Sequence, residues 1–444
     1  MVKKANIKGK SNKDRIAVIG AGISGLTTAF LLSKKYTVEL YEKNSYFGGH
    51  ACTIKSKLLS HNGKKDTIHF DIGFLVFNDK NYPNFKKLLN FFKVSCERSD
   101  MSFSVTDKDN FFEYGSRGLM AFSNNLKNFL SISFWTMIID ILRFNYKSKK
   151  LILNNHQNFM TVKDFLNKNK FSKSFTLKYF TPMCGAIWST SQTNVMKMPI
   201  YSILFFLNNH GLLNLFKRPK WRTIKNGSSN YVKKIIHSLN GNVIKNKQIE
   251  KVIRYKEYCS VEGTNFKRKY KKVIFATHSE DVLNILKHPN NLEKSFFSSE
   301  SYQSNTIYVH KDRRLMPKNK KVWSSWNVIL NEADLLKRKK TDMICVTYWI
   351  NRLQNIRDYE DVYVTLNPPR KLVPEKSKTI KMLKMKHPLI KNDRRELMKN
   401  LKYLQGKDKI YYVGAWTGYG FHEDGVKSAI NVAKLFGIDF NESL

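Results

Sequence analysis

The fold of this chain is decided by residues 15–42, which read RIAVIGAGISGLTTAFLLSKKYTVELYE. The apolar run Arg15–Ile19 predicts a buried strand, and residues 24–34 carry apolar side chains at helical spacing. Residues 36–41 alternate and predict a second strand. A strand, a glycine-rich turn, a helix and a strand in this order predict a dinucleotide-binding βαβ unit of the Rossmann type.

Three glycines in the turn follow the spacing G-x-G-x-x-G. Gly20 permits the tight turn, Gly22 lets backbone approach a diphosphate, and Gly25 lets the helix pack closely on the strand. Free N–H groups at the positive end of the helix dipole then bind the diphosphate. The residues expected at this anion site are Gly20, Ala21, Gly22, Ile23, Ser24 and Gly25.

Glu42 ends the second predicted strand, where a carboxylate accepts hydrogen bonds from ribose hydroxyls. The same charge repels a 2′-phosphate, so NADP is disfavoured. Gly48 and Gly49 follow six and seven residues later. An NAD dehydrogenase has no need of a second glycine pair at this position.

Together these segments resemble flavoproteins of the amine oxidase and phytoene desaturase superfamily, in which E-x(5–6)-G-G wraps an extended FAD. EKNSYFGGH at 42–50 matches that pattern, FDIGF at 70–74 is similar to the strand along the isoalloxazine, and VIFAT at 273–277 is similar to a strand ending in small residues. The resemblance implies FAD, with contacts from Lys43, Gly48, Gly49, His50, Gly73, Phe74 and, against adenine, the backbone amide of Val252.

The segment VGAWTGYGFHEDGVKSAINVA at 413–433 is similar to the second flavin contact of that superfamily. The resemblance places Gly414 after a strand and starts a helix at Gly425 and Val426, whose N–H groups face the flavin. Ala415 stands where an acidic residue often follows the Gly414 position. Glu423 and Asp424 both remain open as its replacement.

A closer resemblance runs from about residue 15 to 440 and is to a bacterial subfamily of predicted NAD/FAD-binding proteins. It is carried by GHACT (49–53), DIGFLVFN (71–78), NHGLL (209–213), TYWINRLQ (347–354) and GYGFHEDG (418–425). Members of that subfamily resemble the flavin-containing part of some plant cyclopropane fatty acid synthases. By analogy, lipid acyl chains are expected as substrate.

The fold class predicted is α/β, with a Rossmann-type FAD-binding domain of the amine oxidase/glutathione reductase-like class and an inserted α+β substrate domain. The cofactor domain is expected in three separated pieces. The predicted segments are a basic disordered arm at 1–14, FAD-binding pieces at 15–80, 223–284 and 406–444, and substrate-domain pieces at 81–222 and 285–405.

His422 precedes Gly425 by three residues, where the resemblance implies an aromatic side chain on the substrate side of the flavin. His422 is therefore predicted to stack on substrate or move a proton, with a structural loop histidine as the alternative. Tyr348 is a second catalytic candidate, and Trp349, Trp416 and Tyr419 are expected to line the substrate pocket or to pack in the core. The lysine that amine oxidases place near the flavin has no clear match.

Lysine and arginine give the 444-residue chain a net charge of +43. Either coding bias explains this charge, or a basic surface meets an anionic partner such as a membrane. No nucleic-acid-binding motif is recognised, and five scattered cysteines without C-x-x-C predict no metal site. The apolar stretch at 129–144 is expected to be a buried helix or a membrane-docking segment, and the protein to be cytoplasmic.

The function predicted is that of an FAD-dependent oxidoreductase that removes hydride from a hydrophobic substrate, such as a lipid acyl or isoprenoid chain. Two alternatives stay open. One is a flavin-dependent mutase or isomerase without net oxidation. The other is a basic membrane- or nucleic-acid-binding protein in which FAD is structural.

Overall fold

The computed structural model of the protein describes residues 14–107, 112–116, 130–153, 160–214, 219–330, 343–391 and 394–444. The predicted basic arm lies outside the described residues except for Asp14. Within the described part of the chain, no helix combines the length and the apolar character needed to cross a bilayer.

The secondary structure alternates between strand-rich and helix-rich regions. The strands are β1 Arg15–Ile19, β2 Thr37–Tyr41, β3 Thr53–Leu59, β4 Lys65–Asp71, β5 Phe77–Asn78, β6 Cys96–Arg98, β7 Phe103–Asp107, β8 Phe112–Gly115, β9 Trp221–Ile224, β10 Gly241–Ile244, β11 Lys251–Arg254, β12 Cys259–Gly263, β13 Phe266–Tyr270, β14 Lys272–Phe275, β15 Tyr302–His310, β16 Trp326–Leu330, β17 Cys345–Trp349, β18 Tyr363–Leu366, β19 Thr379–Pro388 and β20 Ile410–Tyr412. The α-helices are α1 Ile23–Leu32, α2 Pro83–Phe91, α3 Ile132–Leu153, α4 Val162–Lys168, α5 Lys173–Phe175, α6 Thr181–Trp188, α7 Gln192–Lys197, α8 Ile200–Asn209, α9 Ser229–Ser238, α10 Ser279–Ile285, α11 Asn291–Ser298, α12 Ile350–Leu353, α13 Arg394–Lys402, α14 His422–Leu435 and α15 Phe440–Ser443.

A parallel five-stranded sheet in the order β10-β2-β1-β14-β20 forms the nucleotide-binding half of the fold. Its strands come from three separated stretches of the chain, around residues 15–41, 241–275 and 410–412. The predicted Rossmann-type α/β fold is confirmed. Strands β1 and β2 are buried along almost their whole length, because helices such as α1 and α14 pack on one face of the sheet and strands β11–β13 pack on the other.

Helix α1 follows the glycine turn directly, and all ten of its residues are buried. It packs against α14 and α9, so apolar side chains surround it on every side. The helix lies so close to the end of strand β1 that no side chain fits between them. A Cβ atom on Gly25 would lie 1.9 Å from the carbonyl oxygen of Gly20. Gly20 itself has a φ of +105°, which favours glycine.

A seven-stranded sheet in the order β19-β15-β18-β17-β16-β7-β8 forms the second half of the fold, with the helices between residues 132 and 209 beside it. β7 and β8 come from the first predicted piece of the substrate domain, residues 81–222, and the remaining five strands come from after residue 300. An aromatic cluster of Phe144, Phe165, Phe171, Phe175 and Phe180 holds the helices together. The inserted α+β domain of the predicted fold class is therefore present.

The replacement Gly25→Ala tests the contact between helix α1 and the turn. We expect it to lower the free energy of unfolding of the cofactor-free protein by about 1–3 kcal/mol or more, because the new methyl group overlaps the Gly20 carbonyl. Gly22→Ala is the matched control, since Gly22 has an ordinary φ of −74° and nothing lies within 4 Å of its added Cβ. Urea unfolding of both variants gives the comparison, and equal stabilities would contradict the packing described.

Candidate cofactor and substrate site

A cavity of about 1110 Å³ lies between the two sheets. One end is lined by Glu42 and by residues 247–250, the middle by the glycine turn, and the far end by residues of helices α3, α6 and α8. The volume exceeds the roughly 300–1,000 Å³ of ordinary small-molecule sites. The cavity therefore suits an elongated ligand together with a second molecule.

Glu42 closes the nucleotide end of the cavity with an ordered carboxylate. Its Oε2 accepts a hydrogen bond from the backbone N–H of Ala21 at 3.0 Å. Its Oε1 accepts from the Asn44 backbone N–H at 2.9 Å and from Asn44 Nδ2 at 2.7 Å. Carboxylate oxygens retain further lone pairs for a ligand hydroxyl, so the residue remains available as an acceptor.

The two glycine motifs meet at the middle of the cavity. The Gly48 N–H donates to the Ala21 carbonyl at 2.8 Å, and an added Cβ on Gly49 would lie 3.3 Å from Gly22 Cα. Gly22 is the N-cap of α1 and supplies no side-chain cap, and the first turn carries no acidic residue. The N-terminus of the helix therefore has uncapped N–H groups and the positive end of the helix dipole, next to open space beside Gly22. An anion could bind there.

Most of the predicted cofactor contacts line this cavity. They are Gly20, Ala21, Gly22, Ile23, Ser24, Glu42, Lys43, Gly48, Gly49, His50, Gly73, Phe74 and Gly414. The structure thus brings together residues from the glycine turn, from the 48–50 segment, from the end of β4 and from the end of β20.

Two of the predicted contacts, Val252 and Gly25, are not among the described residues that line the cavity. Val252 is fully buried in β11, where it pairs with Val261, and residues 248–250 line the cavity beside it. The contact of the Val252 backbone amide with adenine stays a prediction. Gly25 allows close packing and does not line the cavity, because a Cβ atom at this position would point at Gly20 and Ala276.

The C-terminal helix is also corrected, because α14 begins at His422 and not at Gly425. Glu423 accepts hydrogen bonds from the backbone N–H groups of Asn84 and Phe85, and so holds the start of α2. Asp424 accepts from the backbone N–H groups of Tyr419 and Phe421.

Both carboxylates are thus used in shaping the loop before α14, and neither is among the described residues that line the cavity. Gly425 packs against α1, and Val426 is fully buried in the core. The four positions 423–426 therefore support the site without facing it.

His422 lines the cavity with its ring held on two sides. The ring stacks on Phe74 with centroids 3.6 Å apart, and Nε2 lies 3.0 Å from the Tyr231 hydroxyl. Burial, together with the neighbouring His50, lowers the pKa of His422 well below its ordinary value. The imidazole is therefore neutral, and it can orient or exchange a hydrogen bond without carrying charge.

The aromatic residues predicted for the pocket separate into two groups. Tyr348, Trp416 and Tyr419 line the cavity, and burial raises the pKa of the Tyr348 phenol above its ordinary value. Trp349 is not among the described cavity-lining residues. It points to the opposite face of the sheet, where it packs on Trp323 and donates to Asp361, because successive residues of a strand alternate in direction.

A cluster of histidines lies at the middle of the cavity. His50 lies 5.0 Å from His387 and 6.3 Å from His278 between ring centroids. Burial lowers the pKa of both His278 and His387 to about 3 and lowers that of His50. His50 Nε2 is buried and has no partner among the described residues. Because His278 follows β14 and His387 lies near the end of β19, more than 100 residues further along the chain, no spacing in the sequence indicates this cluster.

His210, which belongs to the NHGLL segment, lines the apolar end of the cavity. Its Nδ1 lies 3.0 Å from the Phe206 carbonyl, which can only accept, so Nδ1 carries the proton. Nε2 therefore presents a lone pair and has no partner among the described residues. Burial lowers the pKa of His210 to about 4, so this acceptor stays neutral.

Comparison with known proteins agrees with this geometry. A family model described as an NAD(P)-binding Rossmann-like domain matches residues 18–92. By sequence, no curated protein matches the chain. Over almost its whole length the chain shares its fold with the solved structures of a fatty acid isomerase, a cyclohexylamine oxidase and a putrescine oxidase.

The CLA-producing fatty acid isomerase from P. acnes superimposes with a TM-score of 0.65 at 12% identity, covering 97% of this chain and 100% of that one. Cyclohexylamine oxidase from Brevibacterium oxydans IH-35A gives a TM-score of 0.65 at 11% identity, with 96% and 100% covered. Putrescine oxidase bound to putrescine gives 0.65 at 11% identity, with 95% and 98% covered.

The buried histidines predict that the protein loses stability in mild acid. Histidines of the unfolded chain titrate near pH 6.5, whereas burial lowers the pKa of six in the fold, namely His50, His210, His278, His310, His387 and His422. The unfolded state therefore binds more protons below pH 6.5. Each histidine then lowers the free energy of unfolding by about 1.4 kcal/mol for every unit by which the pH falls, until the pH reaches the pKa of that histidine in the fold.

Three buried carboxyls act in the opposite direction. Burial raises the pKa of Asp71 and Asp424 to about 6 and raises that of Glu423, so these groups stabilise the fold as the pH falls below 6. Six histidines outweigh three carboxyls, so urea midpoints are expected to change little near pH 7.5 and to fall as the pH drops from about 6.5 to 5. His278→Phe should make that decline shallower. A profile that is flat over this range would contradict the buried, neutral histidines.

Proposed function

We propose that this protein is an FAD-dependent oxidoreductase that acts on an elongated hydrophobic substrate with one polar end. The observation that carries the proposal is the continuous cavity, which runs from Glu42 past the uncapped N-terminus of α1 and past His422. It ends in an apolar part lined by residues such as Ile141, Ile187 and Phe206, here called the apolar arm. A dinucleotide fits the first part, and the arm provides room for a second molecule.

The residues present fit FAD. Gly22 leaves the space that a diphosphate needs, the α1 N–H groups supply donors, and Glu42 supplies an acceptor for ribose. Gly49 lies so close to Gly22 that a Cβ atom on Gly49 would come within 3.3 Å of the Gly22 Cα and displace it slightly. Lys43 and Lys247 add positive charge beside the same end of the cavity.

Held by these residues, FAD would supply two-electron redox chemistry, in which the substrate gives up a hydride and a proton and dioxygen or another acceptor receives the electrons. The chain's own residues bind and orient the reactants. His422, fixed by Phe74 and Tyr231, stays neutral and holds or moves a proton at the cavity wall. The aromatic walls exclude water from the arm.

The apolar arm supports a lipid-like substrate. Its wall is formed by aliphatic and aromatic side chains such as Ile138, Ile141, Met183, Ile187, Phe206 and Phe421. The carboxylates among the described cavity-lining residues are Glu42, Glu250 and Asp281, all at the nucleotide end, so no carboxylate of the described lining faces the arm. An ammonium substrate would find no counter-ion there.

The arm nevertheless has two buried polar atoms available. Trp188 Nε1 and His210 Nε2 have no partner among the described residues, and both rings stack on or against Phe206. The indole N–H donates and the imidazole nitrogen accepts. Such a pair suits a protonated carboxyl or a hydroxyl at the polar end of a long apolar chain.

A flavin-dependent isomerase acting on the same kind of chain is the second candidate. The similarity of fold to the fatty acid isomerase from P. acnes favours it. An isomerase would return the electrons to the substrate and would need no net acceptor.

Gly22→Val tests the cofactor site directly. Its side chain would enter the open space beside the α1 N-terminus, so we expect the affinity of the cofactor-free protein for FAD to fall at least 100-fold. Leu435→Val, at a residue of α14 that is 58% exposed, serves as the surface control and should bind FAD as the wild type does. Quenching of flavin fluorescence during titration measures both. Unchanged affinity in Gly22→Val would reject the anion site.

The substrate class is tested by anaerobic mixing of the FAD-loaded protein with linoleic acid, putrescine or cyclohexylamine. Lasting loss of visible flavin absorbance with the fatty acid alone supports the oxidoreductase. Formation of an isomeric fatty acid without lasting bleaching supports the isomerase. Bleaching by the amines alone would reject a lipid substrate.

Trp188→Phe sharpens this experiment, because it removes the indole donor and keeps an aromatic ring. We expect about a tenfold weaker binding of the fatty acid, as the loss of one buried hydrogen bond implies. Tyr403→Phe is the control, since Tyr403 is 74% exposed and is not among the described cavity-lining residues.

A further inference from the structure

Helix α3 exposes a continuous apolar stripe. Ile132, Trp135, Ile139, Leu142, Tyr146 and Leu153, here called the docking stripe, are between 46% and 85% exposed. At about 100° per residue these positions fall within an arc of roughly 80° on one helix face. Leu130, 86% exposed, extends the stripe just before the helix begins.

The stripe is held outward because the opposite face of the helix is fixed in the domain. Phe134, Met137 and Phe144 are buried, and Asp140 accepts a hydrogen bond from the Ser172 N–H at 2.8 Å. Ser133 and Ser174 are also joined through their hydroxyls at 2.9 Å. The exposed apolar side chains therefore cannot turn into the core, and contiguous patches of this kind mark interaction sites.

Positive charge surrounds the docking stripe. Arg143, Lys149 and Lys150 lie on the same helix between Leu142 and Leu153 of the stripe and are exposed or partly exposed. On α4, α5 and the segment between them, Lys163, Lys168, Lys170 and Lys173 are exposed as well. The acidic groups of these elements are Asp140, which is buried against Arg143, and Asp164, which caps α4. This surface is complementary to anionic lipid headgroups.

The same helix forms part of the wall of the apolar arm. Ile138, Ile141, Leu142 and Asn145 line the cavity, and Leu142 is at the same time 49% exposed. Leu142 therefore borders both the apolar arm and the docking stripe. A molecule leaving a bilayer that covers the stripe would reach the cavity without crossing water.

We propose that the docking stripe seats the protein on the surface of an anionic phospholipid bilayer, from which the substrate enters the apolar arm past Leu142. The helix lies in the interface and its charged residues meet the headgroups. The entry route rests on the proposed function, whereas the docking itself does not.

Vesicle flotation tests the docking. We expect the wild-type protein to float with vesicles of phosphatidylglycerol and phosphatidylcholine more than with phosphatidylcholine alone. Ile139→Asn combined with Tyr146→Ser should reduce binding to the anionic vesicles at least tenfold. The matched control, Tyr403→Ser with Leu435→Asn, changes residues that are 74% and 58% exposed on other parts of the chain and should bind as the wild type does.

Several results would overturn the proposal. Absence of vesicle binding would do so, as would binding that is equally strong in the stripe variant, since diffuse charge would then suffice. A dimer in sedimentation that the stripe variant dissociates, without vesicle binding, would assign the stripe to a second copy of the chain. The FAD absorption of each variant is recorded in parallel, so failure of docking is distinguished from failure of the cofactor assignment.

Discussion

The fold depends on one contact between backbones, where helix α1 leaves strand β1. A Cβ at Gly25 would overlap the Gly20 carbonyl, and one at Gly20 would lie 2.6 Å from the Ala276 carbonyl. With no side chain between them, the helix start and the ends of β1 and β14 come together at one point. The uncapped N–H groups of α1 therefore open onto the cavity and are not covered by side chains.

The remainder of the cavity extends this arrangement with groups that carry little charge. Histidines from separate elements surround its middle, and burial keeps them neutral by lowering their pKa values. Beyond His422 the wall becomes apolar, with only a few polar atoms of the described residues buried in it. Charge is concentrated at the nucleotide end, at Lys384 and Lys386 of β19 and on the outer surface, which leaves the apolar part of the cavity free for an apolar reactant.

The local part of this structure could be predicted from the sequence. The strand, glycine turn, helix and strand over residues 15–42 form with nearly the expected bounds, because short-range spacing dictates them. Errors occurred where long-range contacts decide. Glu423 was expected at the cofactor but holds α2, and α14 starts three residues before the predicted glycine.

The substrate arm was the hardest part to predict, since its residues come from helices and strands far apart in the chain. His210 belongs to the NHGLL segment that carries the resemblance, but no role could be assigned to it from the sequence, and its role as a neutral acceptor follows from the Phe206 carbonyl beside it. Tyr348 and Trp349 were expected on the same wall, yet neighbouring strand residues face opposite sides. Sequence spacing cannot tell which of two such faces borders a cavity.

The most direct test of the central claim is the visible absorption spectrum of the purified protein, recorded before and after denaturation and filtration. The account predicts flavin bands in the native protein and a released chromophore that is identified as FAD. A colourless protein that also fails to take up added FAD would contradict it, and the cavity would then have to serve another ligand.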